Sequence, residues 1–209
     1  MPRPKAADSA SRTRILAAAA REFAARGYAG ANVDRIARTA RLNKAMIYYH
    51  FASKAALYHE ILNDMFGAVR GRVVEIARSP AAPQEKIRRY VAAIAGEAEA
   101  RPHFPPIWLR EIAEGGEHID RATVGYVRDV LGALSSIIDE GVRAGRFHRV
   151  NPLVFQGGVI APLMFFFATT RVRRRLARGG ATGAADISAD EVVAHLQRLA
   201  LAQLEGKLT

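Results

Sequence analysis

The chain has 209 residues, half of them hydrophobic and 8% aromatic, enough to bury a real core, and it has no cysteine, which excludes disulfides, cysteine-bound zinc and a thiol nucleophile. The longest apolar run, Val159 to Ala168, is broken by Pro162 and too short to span a bilayer. The net charge of +11 is uneven, because residues 1–60 hold eleven Lys/Arg against four acids and so carry +7 of it, the compact positive surface that a polyanion selects.

The basic start "MPRPKAADSASRTR" has no apolar stretch before a cleavage site, so it is not a secretory signal, and residues up to about 10 read as a disordered basic arm. A soluble, cytoplasmic protein without a membrane partner is expected. From Ser11, the positions Ile15, Leu16, Ala19, Ala20, Phe23 and Ala24 recur at helical spacing until "RGYAG" stops the run with Gly27 and Gly30. Asn32 can cap a second, short helix through Val33, Ile36, Ala37 and Ala40. Asn43 can cap a third over Lys44 to Phe51, and Ser53 a long fourth carrying Leu57, Ile61, Leu62, Met65 and Phe66. Helices this short are unstable alone, so the first ones must pack as a unit.

Two short helices joined by Arg41, Leu42 and Asn43 make a helix-turn-helix. Ile47 and Phe51, four apart, share the inward face and can meet Ile36, Ala40 and Leu42. Lys44 and Tyr48 then lie on another face with Ala45, Met46 and Tyr49 beside them, the side that enters the major groove in a second helix of this kind. The tyrosine hydroxyls, His50 and Lys54 suit phosphate oxygens, and Lys54 opens the fourth helix, whose free amides also favour an anion.

From "RILAAAAREFAARGYAGANVDRIARTARLNKAMIYYHFASKAALYHEIL", nearly fifty residues, the sequence resembles the TetR (tetracycline-repressor) family of bacterial transcription regulators. The resemblance implies an all-helical, repressor-like homodimer in which three N-terminal helices bind DNA and a larger helical domain binds a small ligand. It places Asn32, Asn43, Lys44, Ala45, Met46, Tyr48, Tyr49, His50 and Lys54 at the DNA-binding surface, within a domain spanning 1–54. Residues 55–209 would form the ligand-binding and dimerisation domain. Three positions depart from the family pattern: Arg41 stands where the turn often has glycine, Ala45 where glycine or proline is common, and Met46 where threonine is common. Arg41 is compatible with a turn that is not left-handed, and Met46 suits apolar contact with a thymine methyl.

Beyond the fourth helix, Pro80 and Pro83 mark a break before a helix from Gln84 to Ala100. "RPHFPP" starts another, with Trp108, Leu109 and Ile112 on one face, ended by "GGEHID". A helix from about Ala122 to Ala144 closes at Gly145, the next opens at Asn151 and Pro152 and runs to about Ala177, and "RGGATGAAD" reads as a flexible loop. The last helix runs from Ser188 to Leu204 with Val192, Val193, Leu196, Leu199 and Leu204 as an apolar stripe. About nine helices result, an all-α fold. The two last long helices carry the apolar surface for a four-helix dimer interface, and a two-fold dimer requires a palindromic operator in double-stranded DNA.

Other constellations carry less. The arginines of "RVRRRLAR", Arg171 to Arg178, sit where a helix C-terminus favours cations. His103, His118, Glu111, Glu114 and Glu117 include no pair spaced as in HExxH, so no metal site is assigned, and neither a phosphate-binding glycine loop nor a nucleophile elbow is present. No enzyme activity and no cofactor are expected. The rings with few charged neighbours, Phe66, Phe104, Trp108, Tyr126 and Phe166, with Met65, are candidates to line an apolar effector pocket, and Tyr126 or His103 could orient its ligand. The expected function is a transcription regulator, a repressor released from its operator by a small, largely apolar ligand. The competing class is a sequence-tolerant DNA- or membrane-associated helical protein that binds by charge alone.

Overall fold

The computed structural model describes residues 5–180, 183 and 187–207. Ten α-helices and no strand occur among them: α1 Lys5–Gly30, α2 Val33–Ala40, α3 Lys44–His50, α4 Lys54–Arg78, α5 Pro83–Ala100, α6 Phe104–Ala113, α7 Arg121–Arg143, α8 Pro152–Ala168, α9 Thr170–Arg178 and α10 Ala189–Leu204. The fold is all-α as expected, with one helix more than the nine the periodicity suggests. The extra break falls where a single helix to about Ala177 was anticipated. There the chain turns by 56° between α8 and α9. Thr169 donates its hydroxyl to Phe165 O at 2.7 Å and Thr170 to Phe167 O at 2.8 Å. Hydroxyls that bond back to carbonyls three or four residues earlier compete with the helical ladder and bend it.

The disordered arm is corrected too. Helix α1 already begins at Lys5, and only residues 1–4 of the arm lie outside the described residues. Most of the Gly/Ala loop, residues 181–182 and 184–186, also lies outside them. At its far end α1 is kinked at Gly27, whose φ of 69° belongs to the left-handed region. That backbone favours glycine, and a Cβ there would also stand 2.6 Å from Arg110 Cδ of α6 and force that side chain to move.

The first core joins α1, α2, α3 and the start of α4 through Ile15, Ala19, Phe23, Ile36, Ala40, Ile47, Phe51, Leu57 and Leu62, all buried. Helix α4 then runs on as a spine between α5 and α7. Lys86 and Glu97 are buried on α5 yet fully paired: Lys86 Nζ reaches Glu140 at 2.6 Å and Ala77 O at 3.0 Å, and Glu97 is gripped by Arg72 and Arg101. Pairing is the condition under which buried charge is tolerated.

In α6 the buried residues are Phe104, Pro105, Ile107 and Glu111, while of Trp108, Leu109 and Ile112, which share a face, the first two are half-buried and Ile112 is exposed. The buried carboxylate hides the inward side from a hydrophobicity count. Helix α8 is apolar on two sides. Phe155, Val159, Leu163 and Met164 are buried, while Leu153, Val154, Gly157, Gly158, Ala161, Pro162 and Phe165 form a continuous exposed stripe. Helix α10, expected to share that excess, instead faces outward with Glu191, His195, Arg198 and Leu199, and buries Leu196, Ala200 and Leu204 in its own chain.

Candidate nucleic-acid interface

Three side-chain caps set the helix-turn-helix. Asn32 Oδ1 accepts from Asp34 N at 2.7 Å and Arg35 N at 3.3 Å, Asn43 Oδ1 from Met46 N at 2.9 Å, and Ser53 Oγ from Ala56 N at 3.0 Å. Each satisfies amides that a short helix leaves free, typically contributing about 1 kcal/mol. Asn32 and Asn43 therefore already have a structural task. Arg35 fastens α2 to α1: its Nε meets Glu22 at 2.7 Å and its Nη2 the Gly30 carbonyl at 2.6 Å, while Glu22 also accepts from Asn32 N. This hub went unnoticed in the sequence, where Glu22 is one acid on an otherwise ordinary amphipathic helix.

Between the helices Arg41 adopts φ 55° and ψ 46°, so the turn is left-handed after all. Two bonds close it, Arg41 N to Arg38 O at 3.1 Å and Leu42 N to Ala37 O at 3.0 Å, which satisfy carbonyls at the end of α2. The left-handed backbone costs a residue with a Cβ about 1–2 kcal/mol, the reason glycine is common at such a turn.

On α3 only Ile47 is buried. Lys44, Ala45, Tyr48 and Tyr49 are exposed, with Tyr49 67% accessible, and Met46 is half-buried beside them. Lys44 Nζ lies 3.1 Å from Asp34 Oδ2, an ion pair between two exposed groups. His50 departs from the outward position expected of it. Its side chain is only 5% exposed and its Nε2 faces Asp8 Oδ1 at 3.6 Å, because α1 extends far enough back to cover it. Lys54 folds inward as well: its ammonium lies 4.5 Å above the Tyr28 ring and donates to Ala31 O at 3.2 Å, so the charge is held at the N-terminus of α4. The structure thus gathers Lys44, Ala45, Met46, Tyr48 and Tyr49 on one open face, sets Lys54 at its edge, and withdraws His50.

Residues 15–61, which contain the helix-turn-helix and its three caps, match the family model described as "Bacterial regulatory proteins, tetR family". Over 172 residues the chain is 30% identical to the HTH-type transcriptional repressor NicS of Pseudomonas putida, covering 79% of this chain and 80% of that protein. The chain belongs to the TetR family. The HTH-type transcriptional regulator RutR of Escherichia coli is 25% identical over 144 residues, 69% of this chain and 68% of RutR. Among solved structures, the TetR-family regulator PfmR of Thermus thermophilus superposes with a TM-score of 0.70 at 24% identity, over 92% of this chain and 99% of PfmR. FadR of Bacillus subtilis, crystallised with stearoyl-CoA, superposes at 0.67 and 15% identity, over 92% and 98%. These two share the fold.

In this TetR-family chain the effector candidates divide into groups. Phe66 packs edge-on against Phe104 at 5.3 Å and against Trp108 at 4.8 Å between ring centres, with Met65 fully buried next to it on α4. The Tyr126 ring covers Gly67, within 4 Å of where a Cβ would stand. His103 precedes α6; burial, then the Arg101 charge, lowers its pKa, which favours the neutral ring. Phe166 lies apart from these, under the Arg173 guanidinium at 3.8 Å. Two surface grooves of about 550 and 530 Å³ run along α4 and are lined by Arg70, Val74, Arg78 and, on α7, Arg128 and Ala133, not by the candidates.

Proposed function

We propose that this TetR-family chain is a transcription repressor that binds a palindromic operator as a homodimer and is released by a small, largely apolar ligand. The observation that carries the DNA half is the open face of α3, where two tyrosines and a lysine are exposed on a seven-residue helix held by caps at both flanks. Tyr48 and Tyr49 leave much of their surface open, which suits base edges and sugar-phosphate. Residues up to about 54 form the DNA-reading part, with Lys44, Ala45, Met46, Tyr48 and Tyr49 at bases or backbone and Lys54 with the α4 amides at a phosphate. The remainder binds ligand and partner, and the protein acts in the cytoplasm, where its DNA is.

Dimerisation is supported by the exposed stripe of α8, since Gly157, Gly158 and Ala161 permit close approach of a second α8. For the ligand, the ring cluster of Phe66, Phe104 and Trp108 is the favoured site. FadR supports this only by analogy, as a neighbour of the same fold bound to an acyl thioester. Helix α4 connects both halves, running from Lys54 past Met65 and Phe66, so a ligand that prefers one tilt of α4 shifts the separation of the two recognition helices.

Selection of bound sequences from a random duplex library should yield an inverted repeat, favoured over random DNA by about 10³-fold or more. Tyr48→Ala and Lys44→Ala should each weaken the selected site by about 1–3 kcal/mol at unchanged helicity. Equal affinity for all duplexes would instead favour the charge-only binder. Ligands found through Trp108 fluorescence must weaken operator binding, by some five- to 150-fold for a coupling of about 1–3 kcal/mol, or the effector half of the proposal fails.

A further inference from the structure

Glu111, Glu114 and His118, three and four residues apart in sequence, meet in space at the end of α6. Glu111 closes the inward face of α6, Glu114 is its C-cap, and the chain then turns through Gly115 and Gly116, both with φ near +75°, and returns His118 over the end of the helix. His103 and Glu117 are not part of the cluster.

His118 Nδ1 lies 3.3 Å from Glu111 Oε1 and 3.7 Å from Glu114 Oε2, and one ligand atom from each residue falls within 4.8 Å of the other two. Ligand atoms held at about 2.0–2.1 Å by a tetrahedral metal stand about 3.4 Å from one another. Two edges of the triangle are thus near the required length, and the third closes by a small rotation of Glu114, which is exposed at the helix end.

The surroundings also fit. Glu111 is 1% exposed, and its carboxylate is fixed by the Tyr58 hydroxyl at 2.6 Å and by His118 N at 3.3 Å. The Tyr58 hydroxyl donates to that carboxylate and so orients it. The Nδ1 of His118 is buried without a hydrogen bond although two carboxylates flank it. An imidazole nitrogen facing two carboxylates, one of them shut away from water, offers two negative charges and three donor atoms to a divalent cation.

We propose that Glu111, Glu114 and His118 bind a divalent transition metal of the zinc class, with water completing the coordination. The mixed nitrogen and oxygen set and its small size select against magnesium and calcium, which take six or more oxygens. The site lies at a seam: Tyr58 is one turn beyond Lys54 on α4, and the His118 ring rests on Tyr28 of α1 at 4.2 Å. A bound ion would tie the end of α6 to both helices.

The test is calorimetric titration of zinc chloride into the untagged full-length protein after chelator treatment, with cobalt absorption as a second readout. One zinc per chain with micromolar or tighter affinity is expected, together with a cobalt ligand-field band in the visible. Glu114→Gln, at an exposed position that leaves the fold intact, and His118→Ala should each weaken zinc by at least about tenfold, and Tyr58→Phe by about 10–100-fold as loss of an orienting partner. His103→Ala should change nothing. Absence of saturable one-to-one binding below about 100 µM zinc overturns the proposal. So does binding that Glu114→Gln leaves intact, which would put the ion elsewhere. None of these readouts involves DNA, so they stand whether or not the proposed operator is found.

Discussion

The helix-turn-helix and the α8–α9 region solve opposite problems. In the first, short helices are specified locally: Asn32, Asn43 and Ser53 each cap their own helix, polar side chains face out, and one apolar side faces the shared core. In the second, α8 is capped at its start by Asn151 but is apolar on both sides, and α9 has no side-chain cap and no buried residue. A locally specified helix carries its instructions with it, whereas α8 and α9 require something outside their own sequence to define what they face.

The largest effect should come from breaking the second region. Phe165→Glu, at a position 64% exposed in the monomer, should leave the protomer folded and weaken the proposed dimer by at least about 2 kcal/mol, the range of an interface anchor, as sedimentation at micromolar concentration will show. A dimer that survives this change would mean that the exposed stripe of α8 is not the interface. In the capped region a smaller loss is expected. Asn43→Ala should lower thermal stability by about 1 kcal/mol, and because the cap holds the open face of α3 it should also reduce operator affinity without any loss of contact. The smallest effect tests the turn: Arg41→Gly relieves the left-handed backbone, offset in part by the greater freedom of glycine in the unfolded chain, for a net gain of about 0.5 kcal/mol in denaturant melts. A loss there would mean that the arginine side chain stabilises the turn by contacts of its own.

How much could be read in advance follows the same division. The three caps, the inward pair Ile47 and Phe51, and the outward tyrosines are matters of spacing within about seven residues, and spacing is visible in a sequence. The burial of His50 is not visible in spacing, because it depends on Asp8, forty-two positions earlier in the basic N-terminal segment. The burial of Glu111 on α6 is likewise invisible to spacing, because it depends on Tyr58, fifty-three residues away. Glu111 and His118 meet locally, through the turn at Gly115 and Gly116, and Glu114 and His118 are four apart, so that cluster is concealed only by the two glycines, which mark the end of the helix. The handedness at Arg41 was hidden for another reason: the bonds that close that turn are made by backbone, which every residue type shares.

Lys54 is held in place by groups outside its own helix. A free lysine on a helix surface samples many rotamers, and freezing it against a phosphate costs on the order of 0.5–1.5 kcal/mol. Here the Tyr28 ring and the Ala31 carbonyl already hold the ammonium at the mouth of α4. If Lys54 meets a phosphate as proposed, that disorder is removed when the chain folds rather than on contact with DNA, and Tyr28→Ala, which frees the ammonium, should slow operator capture in stopped-flow mixing more than it lowers thermal stability.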